Sequence, residues 1–170
     1  MDFPKRKAMR LTEFDYSRGG AYFITICTQN RKEIFGEIYD VGACIARPPE
    51  VRLSFCGTVV QEAILRIPMQ YPALAVDKYV VMPNHIHLIL LQNPTKHGSA
   101  MRSPTVSTVI GQLKGYVTKK LGRSVWQKSF YDHVIRNEQD YLAVWNYIDQ
   151  NPLQWKLDEY NPTQTKTTAP

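Results

Sequence analysis

Apolar residues recur along this chain with two different spacings, one typical of β-strands and the other of α-helices. The strand-like runs are rich in β-branched residues. The main strands are predicted at 21–28, 73–81 and 84–91. Because Pro83 and Asn84 separate the second and third of these strands, we expect them to form a tight antiparallel hairpin. Shorter apolar runs predict a small hairpin from 34–39 and 51–53, and an edge strand over 124–130.

The helical spacing of apolar residues predicts two amphipathic helices and a third helix near the C-terminus. The first is expected to begin at Ser54 or Thr58 and to end near Ile67. The second runs over 104–121, where Gly122 closes it. The third covers 138–150, with Asn137 as its N-cap, and is expected to stop at Pro152.

The order of these elements is strand, helix, strand, strand, helix, strand, helix. It predicts an α+β fold, a ferredoxin-like βαββαβ antiparallel sheet with helices on one face and an added C-terminal helix. The polar and basic first residues predict an N-terminal arm over 1–20. The folded domain is then expected over 21–157, followed by a loose C-terminal tail over 158–170.

The composition narrows the class of protein. The chain has 170 residues, enough for one domain, and carries a formal net charge of +6. This charge favours a polyanionic partner such as nucleic acid, but it is equally typical of an ordinary soluble protein. No apolar run approaches the roughly 20 residues of a membrane span, and no signal peptide is evident. The three cysteines are widely spaced, which argues against a disulfide framework, so we expect a reducing, cytoplasmic location. We also expect the protein to be associated with the nucleoid.

His85 and His87 are the most distinctive local pattern, because they lie one residue apart inside an apolar strand. Side chains alternate between the two faces of a strand, so both imidazoles point the same way. Such a pair is able to hold a metal ion, although packed or solvent-facing histidines are the more frequent case. We expect no cysteine near the motif, and an oxygen atom as third ligand would favour Mg²⁺ or Mn²⁺.

Tyr147 and Asn151 on the last predicted helix are candidate partners for the histidines. They are four residues apart and therefore share one helix face. A packing tyrosine and a helix C-cap are their ordinary explanations. A divalent ion held by two imidazoles and an amide would polarise a phosphodiester oxygen. A tyrosine one turn away would then attack phosphorus and become covalently attached, which permits strand transfer rather than simple hydrolysis.

Three segments together resemble the single-tyrosine HUH transposases, and within them the REP-associated tyrosine transposases. The segments are 80–88, 125–136 and 147–152. The likeness extends from about Gly20 to about Leu157 and includes the first strand with the Gln29-Asn30-Arg31 that follows it.

The resemblance implies a catalytic domain that needs Mg²⁺ or Mn²⁺ and acts on single-stranded or hairpin DNA. It implies that His85, His87 and Asn151 are the metal ligands and that Tyr147 is the nucleophile. The product would be a 5′-phosphotyrosine with a free 3′-hydroxyl. Two oligomeric states remain open, a monomer and a homodimer in which Tyr147 serves its own or the partner's site.

Basic and aromatic residues outside this centre are candidates for DNA contact, although a solvated surface role explains each of them as well. The candidates are Arg6, Arg10, Lys114, Lys119, Tyr131 and Arg136. A hairpin DNA-binding protein that has lost transposition activity is the alternative function. A small metallohydrolase is less consistent with the sequence, because no set of carboxylates accompanies the histidines.

Overall fold

The computed structural model describes residues 20–39, 49–92 and 104–162, in which six β-strands and four α-helices are found. The strands are β1 (Gly20–Cys27), β2 (Gly36–Tyr39), β3 (Glu50–Leu53), β4 (Leu74–Val81), β5 (His85–Gln92) and β6 (Tyr131–Ile135). The helices are α1 (Phe55–Leu65), α2 (Ile67–Gln70), α3 (Val106–Leu121) and α4 (Glu138–Gln154). The N-terminal arm predicted over 1–20, with Arg6 and Arg10, lies outside the described residues except for Gly20.

The main sheet has the strand order β4-β5-β1-β6, and every neighbouring pair is antiparallel. Together with the crossover helices α1 and α3, this confirms the predicted ferredoxin-like fold. The hairpin predicted from the second and third main strands is β4-β5, and β2-β3 is the predicted small hairpin.

The two faces of the sheet bury different clusters of apolar side chains. The larger cluster lies between the sheet and the helices α1 and α3, and includes Ile24, Ile86 and Leu88. The smaller one contains Phe23 and Ile89 from the sheet and Ile148 from α4. Helix α4 therefore packs on the face opposite α1 and α3, so the sheet lies between two layers of helix.

The edge strand predicted over 124–130 is wrong, because the strand that pairs with β1 is β6. Residues 124–130 instead form a loop whose apolar side chains Val125, Trp126 and Phe130 are buried in the larger cluster. Gln29 N donates to Val125 O at 2.8 Å, and Gln127 N donates to Cys27 O at 3.0 Å, which fastens the loop beside β1. Burial of three irregularly spaced apolar residues explains why this loop has the composition of a strand.

The helix α4 begins after Asn137, whose side chain accepts a hydrogen bond from Asp140 N at 2.8 Å, as predicted for an N-cap. Its predicted end at Pro152 is wrong, because the helix continues to Gln154 and then into a 3-10 turn over Trp155–Leu157. Proline has a φ compatible with a helix and lacks only an N–H, so burial of Trp155 beyond it is able to keep the helical course.

No helix in the described ranges 20–39, 49–92 and 104–162 has the length and apolar character needed to span a membrane.

Gly57 in α1 is required by a close backbone contact, and this gives a test of the fold. A Cβ added at Gly57 would lie 1.9 Å from the carbonyl oxygen of the buried residue Phe35. Gly57→Ala is therefore expected to lower the free energy of unfolding by at least about 2 kcal/mol. Urea unfolding followed by circular dichroism measures the change.

Gly111→Ala in α3 is the matched control, because nothing lies within 4 Å of a Cβ added at Gly111. Alanine is favoured over glycine inside a helix, so this variant should be more stable by about 0.5–1 kcal/mol. Wild-type stability of Gly57→Ala would contradict the packing of α1 against the turn before β2.

Candidate active site

His85 and His87 lie on the face of β5 that is covered by α4. Strand alternation puts Ile86 and Leu88 into the larger apolar cluster, so the imidazoles point to the opposite face. Both histidines are buried, and their ring centroids are 4.5 Å apart. The register of the sheet places Thr25 of β1 opposite His87. The two imidazoles thus form one polar group on a mostly apolar surface.

Asn84 fixes the orientation of the His85 ring. The Asn84 Nδ2 donates to the carbonyl oxygens of Arg31 at 3.1 Å and Tyr160 at 2.7 Å, which assigns Oδ1 to the other side of the amide. Oδ1 lies 2.9 Å from His85 Nδ1. An amide oxygen only accepts, so Nδ1 carries the proton. In the neutral ring the Nε2 of His85 therefore has a free lone pair.

His87 is held by a polar and an aromatic neighbour on β1. Its Nδ1 lies 2.8 Å from the Thr25 hydroxyl, and its ring stacks on Phe23 with centroids 5.2 Å apart. On its other side, His87 Nε2 lies 3.5 Å from the Tyr147 hydroxyl, at the outer limit for a hydrogen bond. Phe23 also meets the edge of the Tyr147 ring, at a centroid distance of 5.9 Å. These contacts bring the first residue of the α4 pair to the histidines.

Asn151, the second residue of that pair, is buried one turn further along α4. Its Nδ2 donates to Asp158 Oδ2 at 3.0 Å. Its Oδ1 is buried with no hydrogen-bond partner among the described residues, and the same holds for His85 Nε2. Two buried acceptors without a donor are unfavourable unless something shares their lone pairs.

A divalent cation is a suitable occupant for this group of atoms. Two imidazoles and an amide oxygen form a donor set that Mg²⁺ tolerates and Mn²⁺ accepts more readily. Within the described parts of the chain, no three His, Cys, Asp or Glu side chains cluster closely enough to hold a metal ion. The amide oxygen of Asn151 is therefore the available partner for the imidazoles.

Cys27 corrects the expectation that no cysteine is near the histidines. The sequence separates them by almost 60 positions, but Cys27 of β1 lies directly opposite His85 in the sheet. Burial raises the pKa of the Cys27 thiol to about 11, so the thiolate that binds metals is disfavoured at neutral pH. The presence of this thiol beside the imidazoles was not visible without the strand register.

Residues 158–162 differ from the loose tail expected from Asp158 onward, because they pack against the site. Asp158 and Asn161, which follow the 3-10 turn after α4, are buried. The ring of Tyr160 lies against His85 with centroids 4.7 Å apart. Arg31 secures the segment, since its Nη1 donates to Glu159 O at 2.6 Å and its guanidinium lies 4.8 Å from the centre of the Tyr160 ring. Polar composition predicted disorder here, whereas specific hydrogen bonds order the segment.

Burial dominates the electrostatics of the imidazoles. It lowers the pKa of His85 to about 3, an effect that the Asn151 side chain opposes and the charge of Arg31 reinforces. Burial also holds the pKa of His87 well below its ordinary value, with a further contribution from His85. Both rings are therefore neutral near neutral pH, which is the form that binds metal ions.

Tyr147 is protonated under the same conditions. Burial raises the pKa of its hydroxyl to about 12, and the negative charges of Asp158 and Glu159 raise it as well. The Asn151 side chain partly offsets these effects. Nearby positive charge would favour the phenolate and so increase the nucleophilicity of Tyr147.

The predicted DNA-contact residue Lys114 is engaged within the protein. Its ammonium donates to the carbonyl oxygens of Gln127 at 2.9 Å and Ser129 at 3.0 Å. It therefore fastens the 124–130 loop to α3. Lys119 and Arg136 are exposed, the first on α3 and the second just before α4.

Tyr131 lies on the same face of the sheet as the imidazoles. It pairs with Thr25, which in turn pairs with His87, so the three residues form one row across β6, β1 and β5. Its side chain is exposed and meets the edge of Phe23, with ring centroids 6.4 Å apart. Tyr131 thus presents an exposed aromatic ring on this face of the sheet, two strands away from the histidine pair.

The chain has relatives among known proteins, although no protein-family model matches it. It is 31% identical over 173 residues to an uncharacterised protein of Haemophilus influenzae, covering 91% of this chain and 92% of that protein. It is 25% identical over 142 residues to the REP-associated tyrosine transposase of Escherichia coli K12, covering 82% and 70% of the two chains. A solved structure of a REP-associated tyrosine transposase bound to a REP hairpin has the same fold, with a TM-score of 0.63 and 21% identity over 88% of this chain and 76% of the other.

Acidification is expected to destabilise the metal-free protein through His85. The pKa of His85 is about 3 in the folded chain and about 6.5 in the unfolded one, so between these values only the unfolded state takes up the proton. Stability is fully present above pH 6.5 and falls as the pH decreases from there. For His85 alone the loss at pH 4.5 is roughly 2–3 kcal/mol. Urea unfolding at pH 7 and pH 4.5 measures it.

His85→Gln is the control, because it removes the titrating ring and keeps a polar side chain. Between pH 7 and pH 4.5 this variant should lose about 2–3 kcal/mol less than the wild type. Equal losses in the two proteins would mean that the folded state does not hold His85 neutral.

Proposed function

We propose that this chain, which belongs to the family of REP-associated tyrosine transposases, cuts single-stranded or hairpin DNA and transfers the strand through a covalent bond to Tyr147. The observation that carries the proposal is the approach of Tyr147 Oη to His87 Nε2, at 3.5 Å, beside two buried and unpartnered acceptor atoms. A purely structural role for Tyr147 in packing would not account for the unpartnered acceptor atoms beside it.

His85, His87 and Asn151 would hold a divalent ion, Mg²⁺ or Mn²⁺, through the two imidazole Nε2 atoms and the amide oxygen. Asn84 and Thr25 orient the two rings from behind. When bound, such an ion supplies positive charge that polarises a phosphate oxygen and favours ionisation of a neighbouring phenol.

Tyr147 is the nucleophile in this proposal. Its Oη attacks the phosphorus of a phosphodiester, a bond forms between them, and the bond from phosphorus to the 3′-oxygen breaks. The phenol loses its proton, and the departing 3′-oxygen gains one. The products are a 5′-phosphotyrosine and a strand with a free 3′-hydroxyl. Because the phosphotyrosine is itself a diester, attack by another 3′-hydroxyl reverses the step and joins a new strand end.

Burial of the imidazoles supports transfer over hydrolysis. Phe23, Tyr147 and Tyr160 pack against the two rings and restrict the access of water. The same chain contributes both the imidazoles and Tyr147, which supports action in cis by a monomer or by each subunit of a homodimer. For DNA contact, we propose Tyr131 as a stacking surface and Lys119 and Arg136, with Arg6 and Arg10, as phosphate ligands.

Formation of a covalent protein–DNA adduct tests the nucleophile. The protein is incubated with Mn²⁺ and a hairpin oligonucleotide with single-stranded flanks, labelled at the 3′ end, and the adduct is resolved by denaturing electrophoresis. Tyr147→Phe and His87→Ala are expected to reduce the adduct by at least about 100-fold, since each removes a required group. Peptide mapping by mass spectrometry should find the nucleotide on Tyr147.

Tyr141→Phe is the matched control, because Tyr141 lies on the same helix with its hydroxyl bonded to Asp77 instead. It should retain most of the adduct. Mapping of the adduct to Tyr160, the other phenol near the imidazoles, would overturn the assignment of Tyr147. Tight hairpin binding without an adduct under Mg²⁺ and Mn²⁺ would instead favour the alternative, a hairpin-binding protein without transposition activity.

Binding of unpaired DNA tests the aromatic surface at Tyr131. Tyr131→Ala should weaken the binding of a single-stranded oligonucleotide by roughly 5- to 150-fold, because stacking on one base contributes about 1–3 kcal/mol. Fluorescence anisotropy measures the affinity, and Tyr131→Phe should keep it. Tyr39→Ala, which changes an exposed tyrosine of the small hairpin, should have little effect. Equal weakening by both alanine variants would contradict a specific role for Tyr131.

A further inference from the structure

We propose that Asp158 is a positioning residue that turns the amide of Asn151 so that its oxygen, and not its nitrogen, faces the imidazole pair. The inference rests on the proposed function, because it concerns the residue that would complete the metal site. Asp158 lies seven positions after Asn151, beyond the end of α4 and in a segment whose composition is that of a tail. It would contact neither the metal nor the DNA itself.

The hydrogen bond between the two side chains decides which way the amide turns. Asp158 Oδ2 lies 3.0 Å from the Asn151 amide nitrogen, and both side chains are buried. A carboxylate only accepts hydrogen bonds, so the group that faces it has to be the –NH₂ of Asn151. The amide oxygen is then directed to the other side, where it has no hydrogen-bond partner among the described residues.

The opposite orientation of the Asn151 amide would have two unfavourable consequences for the site. If the amide were rotated by half a turn, its oxygen would face the carboxylate and its –NH₂ would point to the imidazole side. Two acceptors would then meet across 3 Å without a proton between them. A cation held by the imidazoles would meet the positive end of an amide dipole in place of a lone pair. A single buried carboxylate thus selects the only orientation in which Asn151 is able to act as a ligand.

Asp158 is itself fixed by its surroundings. Its second oxygen, Oδ1, accepts the backbone N–H of Tyr160 at 2.7 Å. The Tyr160 carbonyl oxygen in turn accepts from Asn84, the residue that orients His85. One chain of hydrogen bonds therefore runs from His85 through Asn84, Tyr160 and Asp158 to Asn151. It links the orientation of the first imidazole to that of the amide.

A carboxylate behind a metal-ligating side chain is a known way to increase metal affinity, and its loss commonly reduces affinity 10- to 100-fold. The distinguishing property of Asp158 is that it should act only through Asn151. Its effect on metal binding should therefore vanish when Asn151 is absent, which a residue with a general structural or electrostatic role would not do.

The test is a double-mutant cycle on the DNA-free protein with Mn²⁺ alone as the probe. Free Mn²⁺ is measured by electron paramagnetic resonance, which gives the dissociation constant without any activity assay. Asp158→Ala is expected to raise that constant about 10- to 100-fold in the wild-type background. In the Asn151→Ala background the same change should alter it less than about 3-fold. Circular dichroism establishes that each variant is folded.

Glu159→Ala is the matched control, because it removes the same charge from the next residue, which is exposed. It should leave the constant within about 3-fold of wild type. If Asp158→Ala fails to fold, Asp158→Leu takes its place in the cycle, since it fills a similar volume and offers no acceptor oxygen to the Asn151 amide.

Unchanged Mn²⁺ affinity in a folded Asp158 variant would overturn the inference and leave the proposed function intact. An equal loss with and without Asn151 would do the same, because Asp158 would then act on the ion directly. Absence of any Mn²⁺ binding that depends on His85 in the wild type would overturn the metal site as well.

Discussion

Antiparallel pairing of β1 with β5 is the constraint on which the rest of the site depends. It sets Thr25 opposite His87 and Cys27 opposite His85. A shift of this register by one residue would turn the imidazoles into the apolar cluster under α1 and α3. The same pairing puts Phe23 beside His87, and Phe23 then meets Tyr147 on α4. The sheet thus presents the histidines, and α4 covers them with the residues proposed to act with them.

Burial of the polar groups of the site is unfavourable for each group alone and is tolerated because the groups form hydrogen bonds with one another. Neutral imidazoles lose solvation when they are buried, and each regains a hydrogen bond: His85 donates to the Asn84 side chain, and His87 pairs with the Thr25 hydroxyl. Asp158 regains two, from Asn151 and the Tyr160 backbone. The two acceptors left without partners are His85 Nε2 and Asn151 Oδ1, atoms that a metal ion would use. Buried polar atoms of Tyr71, Gln92 and Trp126 also lack a partner among the described residues, so the distinguishing feature of this pair is its place beside a second imidazole and the Tyr147 hydroxyl.

Much of the fold and part of the site could be predicted from the sequence, because both depend on local patterns. Strand alternation correctly predicted that His85 and His87 share a face, and helical spacing predicted that Tyr147 and Asn151 do. The predictions that were wrong concern contacts between segments that are far apart in the sequence. The neighbour of His85 across the sheet, Cys27, follows from register, and the order of 158–162 follows from hydrogen bonds to Arg31 and Asn84. Composition alone predicted a strand in the 124–130 loop, whose apolar side chains are buried without strand pairing to β1.

The central claim is that His85, His87 and Asn151 form one metal centre beside Tyr147. Crystals soaked in Mn²⁺ and measured by anomalous X-ray scattering at the manganese edge test it most directly. The account predicts a single strong anomalous peak within bonding distance of both imidazole Nε2 atoms and the Asn151 amide oxygen, with the Tyr147 hydroxyl next to it. A peak elsewhere on the protein, or one bound to the imidazoles with Asn151 turned away, would contradict it.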